Sequence, residues 1–485
     1  MPTILGANTL SSGYEVANSL RFNDGSTDNL SDTFSASNRR TWTWSAWIKR
    51  GDWSANQSLF TARSDGGNYS TIRLEAGRFH IFDLATPSFS YQVKTSRYLR
   101  DVSAWYHLMV AFDTTQGTAA NRVKLYVNGV QETDLAESSY PSENYEGFTN
   151  NNLTHYVGLG GNLGDQWDGY MAEVCFIDGT ALTPTSFGEF DSDTPNIWKP
   201  IDVSGLTFGT NGFYMEFKQS GTGTDSSGMG ADTSGNDNHF AVNNLASDSQ
   251  TTDTCTNNFA TLNFNNGDGT RTQNDTYSEG NTIMIPANHD NYTTTFSTMG
   301  AKRGKWYWEA QSIVQGTASN AYYPRTIGIM RDDYGFDKST LGQDDDKTWD
   351  VVYNSGNWDA SHNNSVVVDN MSTDRTSGNI LNFALDLDNG KFYFGINGTY
   401  LNSGDPTTGS TGTGAIHTLD ATDLSHFIIP AVTSATTGTY YKFNFGQPAF
   451  SISSGNADAN GHGNFEYAPP SGYFAWCSKN LAEQG

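Results

Sequence analysis

The stretch TWTWSAWIKRG, residues 41–51, puts Trp42, Trp44, Ala46 and Ile48 on one side of an extended chain before a glycine ends it. Side chains alternate with a period of two in a strand and 3.6 in a helix, so this spacing predicts a strand with one buried face. The same alternation returns in WYHLMVAFDTT (105–115) and in NRVKLYVNGVQET (121–133). The latter reads as two short strands around Asn128-Gly129. An Asn-Gly pair between alternating segments is the strongest local hairpin signal, because a type I′ turn needs positive φ twice. In GDQWDGYMAEVCFIDG (164–179), Tyr170, Ala172, Val174 and Phe176 oppose Met171, Glu173, Cys175 and Ile177. Both faces are largely apolar, which predicts a strand central in a sandwich. No ten-residue run free of glycine and β-branched clusters shows helical spacing.

Composition agrees with an all-β chain. Of 485 residues only 16% are charged, whereas 13% are aromatic and 50 are glycine. The polar surface must come from Asn, Ser, Thr and Gly, which suit turns and sheet edges better than helices. The net charge of −25 repels phosphate backbones, so nucleic-acid binding through a basic face is excluded. Cys175, Cys255 and Cys477 are too few and too far apart for a disulfide framework or a zinc pattern. No stretch approaches 18 apolar residues, which argues against a helical membrane span, and residues 1–20 do not read as a secretory signal.

The first strand-rich block closes at GFYMEF (212–217). SGTGTDSSGMGADTSGNDNHF (220–240) is then almost devoid of apolar residues and opens a Gly/Ser/Asn-rich bridge over 218–278. A second β block follows with KWYWEAQS (305–312), RTIGIM (325–330), WDVVYN (349–354), ILNFALDLDNGKFYFGING (380–398), HFIIPAVTS (426–434) and YYKFNFG (440–446). Asn389-Gly390 and Asn397-Gly398 mark turns there, and residues 448–485 read as a packed tail. KLYVNG (124–129) and KFYFGING (391–398) hint at two sandwiches of related architecture. The expected fold is therefore all-β, two antiparallel β-sandwiches joined by a bridge.

Several of these segments carry family resemblances. SLRFNDGSTDNLS (19–31), WTWSAWIKRG (42–51), WYHLMVAFD (105–113), KLYVNGV (124–130) and DGYMAEVCFIDGTAL (168–182) resemble a laminin-G-like, concanavalin A-type jelly roll over 21–217. SEGN (278–281), GKWYWEAQ (304–311), IGIM (327–330), FALDLDNGKFYFGING (383–398) and YYKFNFGQ (440–447) resemble a SPRY domain over 279–447. MPTILGAN (1–8), QTTDTCTNNFATLN (250–263) and PSGYFAWCSKNL (470–481) resemble virion proteins of tailed bacteriophages, especially marine ones. That resemblance implies a particle protein, assembled in the host cytoplasm and released by lysis, with other virion proteins as partners, a homo-oligomeric state and residues 1–20 as a docking segment.

Site residues are fewer. Sandwich glycosidases carry paired carboxylates on alternating strand positions; the nearest string here is Asp386-Leu387-Asp388 beside Asn389-Gly390, where acidic residues cap turns. No HExxH or GxSxG occurs, so the chain reads as non-enzymatic, with a polysaccharide depolymerase as a minor alternative. The laminin-G resemblance implies a structural Ca2+ at Asp24 and Asp28, with Glu173 as the carboxylate of the late strand. NADANGHGNFEY (456–467) fits an EF-hand loop except at its last position, and Asp344-Asp345-Asp346 with Asp332 and Asp333 reads as a solvated acidic loop. Trp53, Trp167, Tyr322, Tyr323, Trp349 and Trp358 flank Gly/Asn-rich loops and are the expected stacking platforms for a sugar. The expected role is adsorption to host-surface glycan or protein as a tail fibre or appendage. The alternative is a capsid-decorating or tail-stabilising subunit.

Overall fold

A computed structural model describes residues 13–52, 56–263, 275–286, 293–314, 326–334, 341, 346–354, 356–434 and 439–485. Among these the chain is almost wholly antiparallel β and ends in one short α-helix, Ser478–Gln484. It divides into two compact units, Gly6–Asn258 with Ser278–Gly280, and Phe259–Tyr277 with Asn281–Gly485.

The first unit contains two eight-stranded sheets. One runs Val130–Gln131, Val123–Val127, Trp105–Asp113, Thr41–Arg50, Gly169–Asp178, Ser19–Phe22 and Gln250–Thr251, with Phe213–Met215 also pairing to Gly169–Asp178. The other runs Leu135–Ser139, Ser88–Tyr98, Arg78–Ala85, Asn68–Glu75, Asn56–Asp65, Thr154–Val157, Asn29–Thr33 and Ala241–Asn243. Their inner faces share one core, which includes Trp42, Trp44, Phe112 and Phe176 together with Phe60, Ile72, Ile81 and Val93. Trp42 stacks on Phe112 at 4.7 Å. Each such aromatic removes ~150–250 Å2 from water, about 4–6 kcal/mol gross, which is why the alternation of 41–51 decides the fold. At the hairpin, Asn128 and Gly129 take φ of +48° and +77°, and Val127 pairs with Val130.

The stretch expected as a bridge is, up to Asn258, part of the first unit. Met229, Phe240 and Leu245 lie in its core, and Ala241–Asn243 and Gln250–Thr251 add strands to its two sheets. The glycine-rich run is held by side chains bonded to backbone. Asp232 accepts from the Tyr214 amide at 2.8 Å, and Asn236 and Asn238 each donate to the Gly212 carbonyl at 2.9 Å. Lys49, 1% exposed, closes on Asp253 at 2.7 Å.

In the second unit Lys305–Val314 lies between Thr439–Asn444 and Ile380–Asp386, and Lys391–Ile396 follows the latter. The opposing sheet runs Thr293–Phe296, Ile428–Ser434, Thr326–Arg331, Thr348–Asn354, Asn357–His362 and Ser365–Ser372. Trp308 stacks on Phe383 at 5.0 Å between them. The core extends beyond the 279–447 expected for this domain. Ala260, Leu262 and Trp476 all belong to it, Trp476 stacks on Trp306 at 4.7 Å, and Phe474–Ala475 pairs in parallel with Lys305–Val314. Glu309 fastens the tail by accepting the Glu466 and Tyr467 amides at 3.0 and 2.8 Å.

Candidate functional site

The aromatic platforms expected from the sequence require correction. Trp167, Trp349 and Trp358 are buried, at 0%, 2% and 2% exposure. Trp349 and Trp358 flank loops in the sequence yet fall inside strands with inward-facing rings. The first stacks on His362 at 5.2 Å, and the second donates its indole N–H to the Asp374 carbonyl at 2.7 Å. Trp167 is part of the first unit's core. None of the three offers a ring face to a ligand. Trp53, Tyr322 and Tyr323 lie outside the described residues.

The expected calcium trio is also not brought together. Asp24 opens a single 3-10 turn, Asp24–Ser26. Asp28 accepts the Asn23 amide at 3.0 Å and the Ser26 hydroxyl at 2.6 Å, and burial pushes its carboxyl up to about 6. Glu173 lies four residues along the strand from Gly169, the partner of Phe22. At ~3.3 Å per residue that is about 13 Å from where the chain leaves Phe22 for this turn. Glu173 instead takes hydrogen bonds from Tyr14 and Tyr214.

The carboxylate that does meet the turn is Asp168, which the sequence reading passed over. It is fully buried, among the described residues neither side-chain oxygen has a well-formed hydrogen bond, and its strongest charged neighbours are Asp24, Asp52 and Glu279. Burial first, and then these carboxylates, push it well above the usual range, against weak relief from the Gly280 amide. Glu279 is engaged by Arg21 at 2.9 Å and Asn23 at 2.8 Å. A buried carboxylate among acids is stable only when protonated or when a hard cation shares it, yet the oxygens of Asp168, Asp24 and Asp52 do not gather within ligand reach of one another, so they form no ready Ca2+ site; among the described residues that closeness is met by Asp332, Asp333 and His426. Gly51 is the floor of this place, since a Cβ there would stand 1.9 Å from Asp168 Oδ1.

The side of the second sheet turned away from the first unit's core carries a polar network, in which Thr71, His80 and Phe82 are themselves buried. Registered rows run Arg73–His80–Lys94–Glu137 and Thr71–Phe82–Gln92–Ser139 across four neighbouring strands. Glu75 accepts from His80 Nδ1 at 3.0 Å, Lys94 Nζ at 2.9 Å and the Arg73 guanidinium. The His80 hydrogen bond, then those of Lys94 and Arg73, hold its carboxyl well below the usual range despite partial burial. It is therefore ionised at neutral pH and is no proton donor. The Arg73 guanidinium lies 4.6 Å from the Phe82 ring centroid. At the ends of Ser88–Tyr98 stand two exposed aromatics, Phe89 at 45% and Tyr98 at 37%. Phe89 meets Phe82 edge-on at 5.0 Å, and Arg78 lies 4.3 Å from the Tyr98 ring. Neither was singled out in the sequence, because FSY (89–91) does not differ in pattern from a buried strand.

Other acidic strings have structural partners. Asp386 accepts the Asn389 amide at 3.0 Å and pairs with Lys305 at 3.1 Å, and Asp388 accepts the Gly304 amide at 2.8 Å. Asp458 accepts the Asn460, His462 and Ala475 amides at 2.9, 2.9 and 2.8 Å, which occupies its oxygens in the EF-hand-like loop. Asp332 meets His426 Nδ1 at 2.9 Å and Asp333 pairs with Arg331 at 2.8 Å and Lys347 at 3.3 Å, while Asp344 and Asp345 lie outside the described residues.

Residues 12–186 match the family model of the concanavalin A-like lectin/glucanases superfamily. No curated protein sequence matches the chain. Among solved structures, the SPRY domain of human HERC1 is similar at 14% identity, with 33% of this chain and 86% of that one covered and a TM-score of 0.24. Domain 4 of AbnA, an extracellular arabinanase of Geobacillus stearothermophilus in complex with arabinotriose, is similar at 21% identity over 30% of this chain and 64% of that one, TM-score 0.24. A heptameric SAP-like pentraxin of Limulus polyphemus is similar at 16% identity over 35% and 80%, TM-score 0.26.

Proposed function

We propose that this chain is a non-enzymatic carbohydrate-binding protein of a phage particle, an adsorption subunit of a tail fibre or appendage. The outer face of Asn68–Glu75, Arg78–Ala85 and Ser88–Tyr98 is the glycan-binding surface. The observation that carries the reading is that face itself, a row of Gln92, Lys94 and Ser96 bounded by exposed Phe89 and Tyr98, in the part of the chain that matches the lectin/glucanase family model. Sugars bind where an aromatic face supplies apolar area beside groups that bond hydroxyls. An 11-residue strand is about 35 Å long, room for an extended glycan rather than one sugar. The salt-bridged, ionised Glu75 supports binding over hydrolysis, since glycosidases need a protonated carboxyl as acid. The placement on a particle rests on the phage-like segments at 1–8, 250–263 and 470–481.

The test is a glycan array and host-cell adsorption with wild type and Phe89→Ala. The expected result is binding to a surface polysaccharide that falls at least tenfold in the variant, with no sugar released. Unchanged binding in Phe89→Ala, or no binding to any host glycan, overturns the assignment. Gold-labelled antibody on intact particles tests location, and label on the tail fibres is the expected outcome. A decorating subunit is the second reading, supported by the edge strand Ser365–Ser372, where Val366 and Val367 are 54% and 49% exposed. Label spread over the head would favour it.

A further inference from the structure

The Gly169–Asp178 strand loses register with Thr41–Arg50 between Ala172 and Cys175, and Glu173 takes φ of +50° there. A left-handed non-glycine residue inside a strand is costly, and such bulges re-aim a side chain. Here the bulge turns the Glu173 carboxylate into a cavity of about 270 Å3 lined also by Tyr14, Asp202, Ser204, Glu216 and Lys218. The Tyr14 hydroxyl at 3.3 Å and the Tyr214 hydroxyl both donate to Oε2, and the two hydroxyls are 3.0 Å apart. The residue is only 7% exposed, yet among the described residues no group donates to Oε1, which opens on the cavity. Among the described residues Lys218 is the one cation in the lining, and it is taken by Glu216 at 2.5 Å. The cavity thus presents, on a largely buried side chain, one carboxylate oxygen with no donor among the described residues, in a surplus of negative charge.

We infer that this cavity binds the free ammonium group of a single amino sugar, with Glu173 Oε1 and Asp202 taking N–H donors and Ser204 and Tyr14 bonding ring hydroxyls. The volume lies just below the ~300–1,000 Å3 of small-molecule sites, so it holds one sugar unit and not a chain. Burial and Glu216 push the Glu173 carboxyl up to about 7, a cost that a bound cation offsets. The inference rests on the carbohydrate-binding reading but uses different residues.

Calorimetric titration of the full chain at pH 7.5 with glucosamine, N-acetylglucosamine and butylammonium tests it. Glucosamine is expected to bind at least tenfold more tightly than either of the others. Glu173→Gln, which keeps the side-chain shape, is expected to lose at least tenfold, and Ser204→Ala a smaller factor. Saturating glucosamine is expected to leave binding of the extended glycan unchanged, which separates this site from the extended face. No glucosamine binding, equal binding of the acetylated sugar, equal binding of butylammonium, or an unaffected Glu173→Gln each overturns the inference. If Glu173→Gln unfolds the protein, Ser204→Ala carries the test, and binding unchanged in that variant overturns it.

Discussion

Asp253→Asn should be among the most damaging conservative changes in the first unit. Lys49 and Asp253 are 1% and 0% exposed, and their charged atoms are 2.7 Å apart. The Lys49 ammonium also meets Asn258 Oδ1 at 2.7 Å and the Tyr170 ring at 5.4 Å, while Asp253 accepts the Trp105 indole N–H at 3.1 Å. An asparagine keeps the shape and an acceptor for Trp105, so the change isolates the charge. Removing one member of a buried pair costs about 3–5 kcal/mol, because the other is left dry and uncompensated. For a unit of this size each kcal/mol lowers the midpoint by roughly 2–4 °C, so calorimetry should show that unit's transition fall by about 6–20 °C. Burial lowers the Lys49 pKa, and losing Asp253 lowers it further. A lysine whose folded pKa is depressed gains stability as pH rises toward its unfolded value of ~10.4, so the deficit should shrink as pH rises toward that value. The double variant Lys49→Met, Asp253→Leu should recover much of the loss. A penalty below about 1 kcal/mol, or one independent of pH to 10, would refute the reasoning.

Asp83 is buried and pushed up to about 6 by desolvation, so folding is favoured while it is protonated. Against an unfolded value of ~3.9, stability should fall by up to about 3 kcal/mol as pH rises from ~4 to ~6, and urea midpoints of Asp83→Asn should be flatter over that window. Gly280 stands at φ +58°, and a Cβ there would stand 2.3 Å from the Tyr170 ring, so Gly280→Ala should cost about 1–3 kcal/mol, and a neutral result would discount that packing.

Local pattern and tertiary structure each account for part of this protein. The strands were legible because burial of one face imposes a period of two that survives in any single segment, as in 41–51, 105–113 and 305–314. Asn128-Gly129 and Asn397-Gly398 were legible because positive φ is a demand on one or two residues, met at +48°, +77°, +49° and +79°. What local pattern could not show is which aromatic keeps a face in water. Trp349 and Phe89 both sit near turns, but whether a second sheet, a loop or solvent lies over a ring depends on chain far away. The absorption of 218–258 escaped detection for a related reason. That segment is held by Asp232, Asn236 and Asn238 bonding distant backbone, and by Asp253 meeting Lys49, contacts that leave no periodic mark. The buried Asp168 and the cavity at Glu173 are likewise products of tertiary structure, one made by a glycine that lets a carboxylate approach and the other by a bulge that slips one strand against its neighbour.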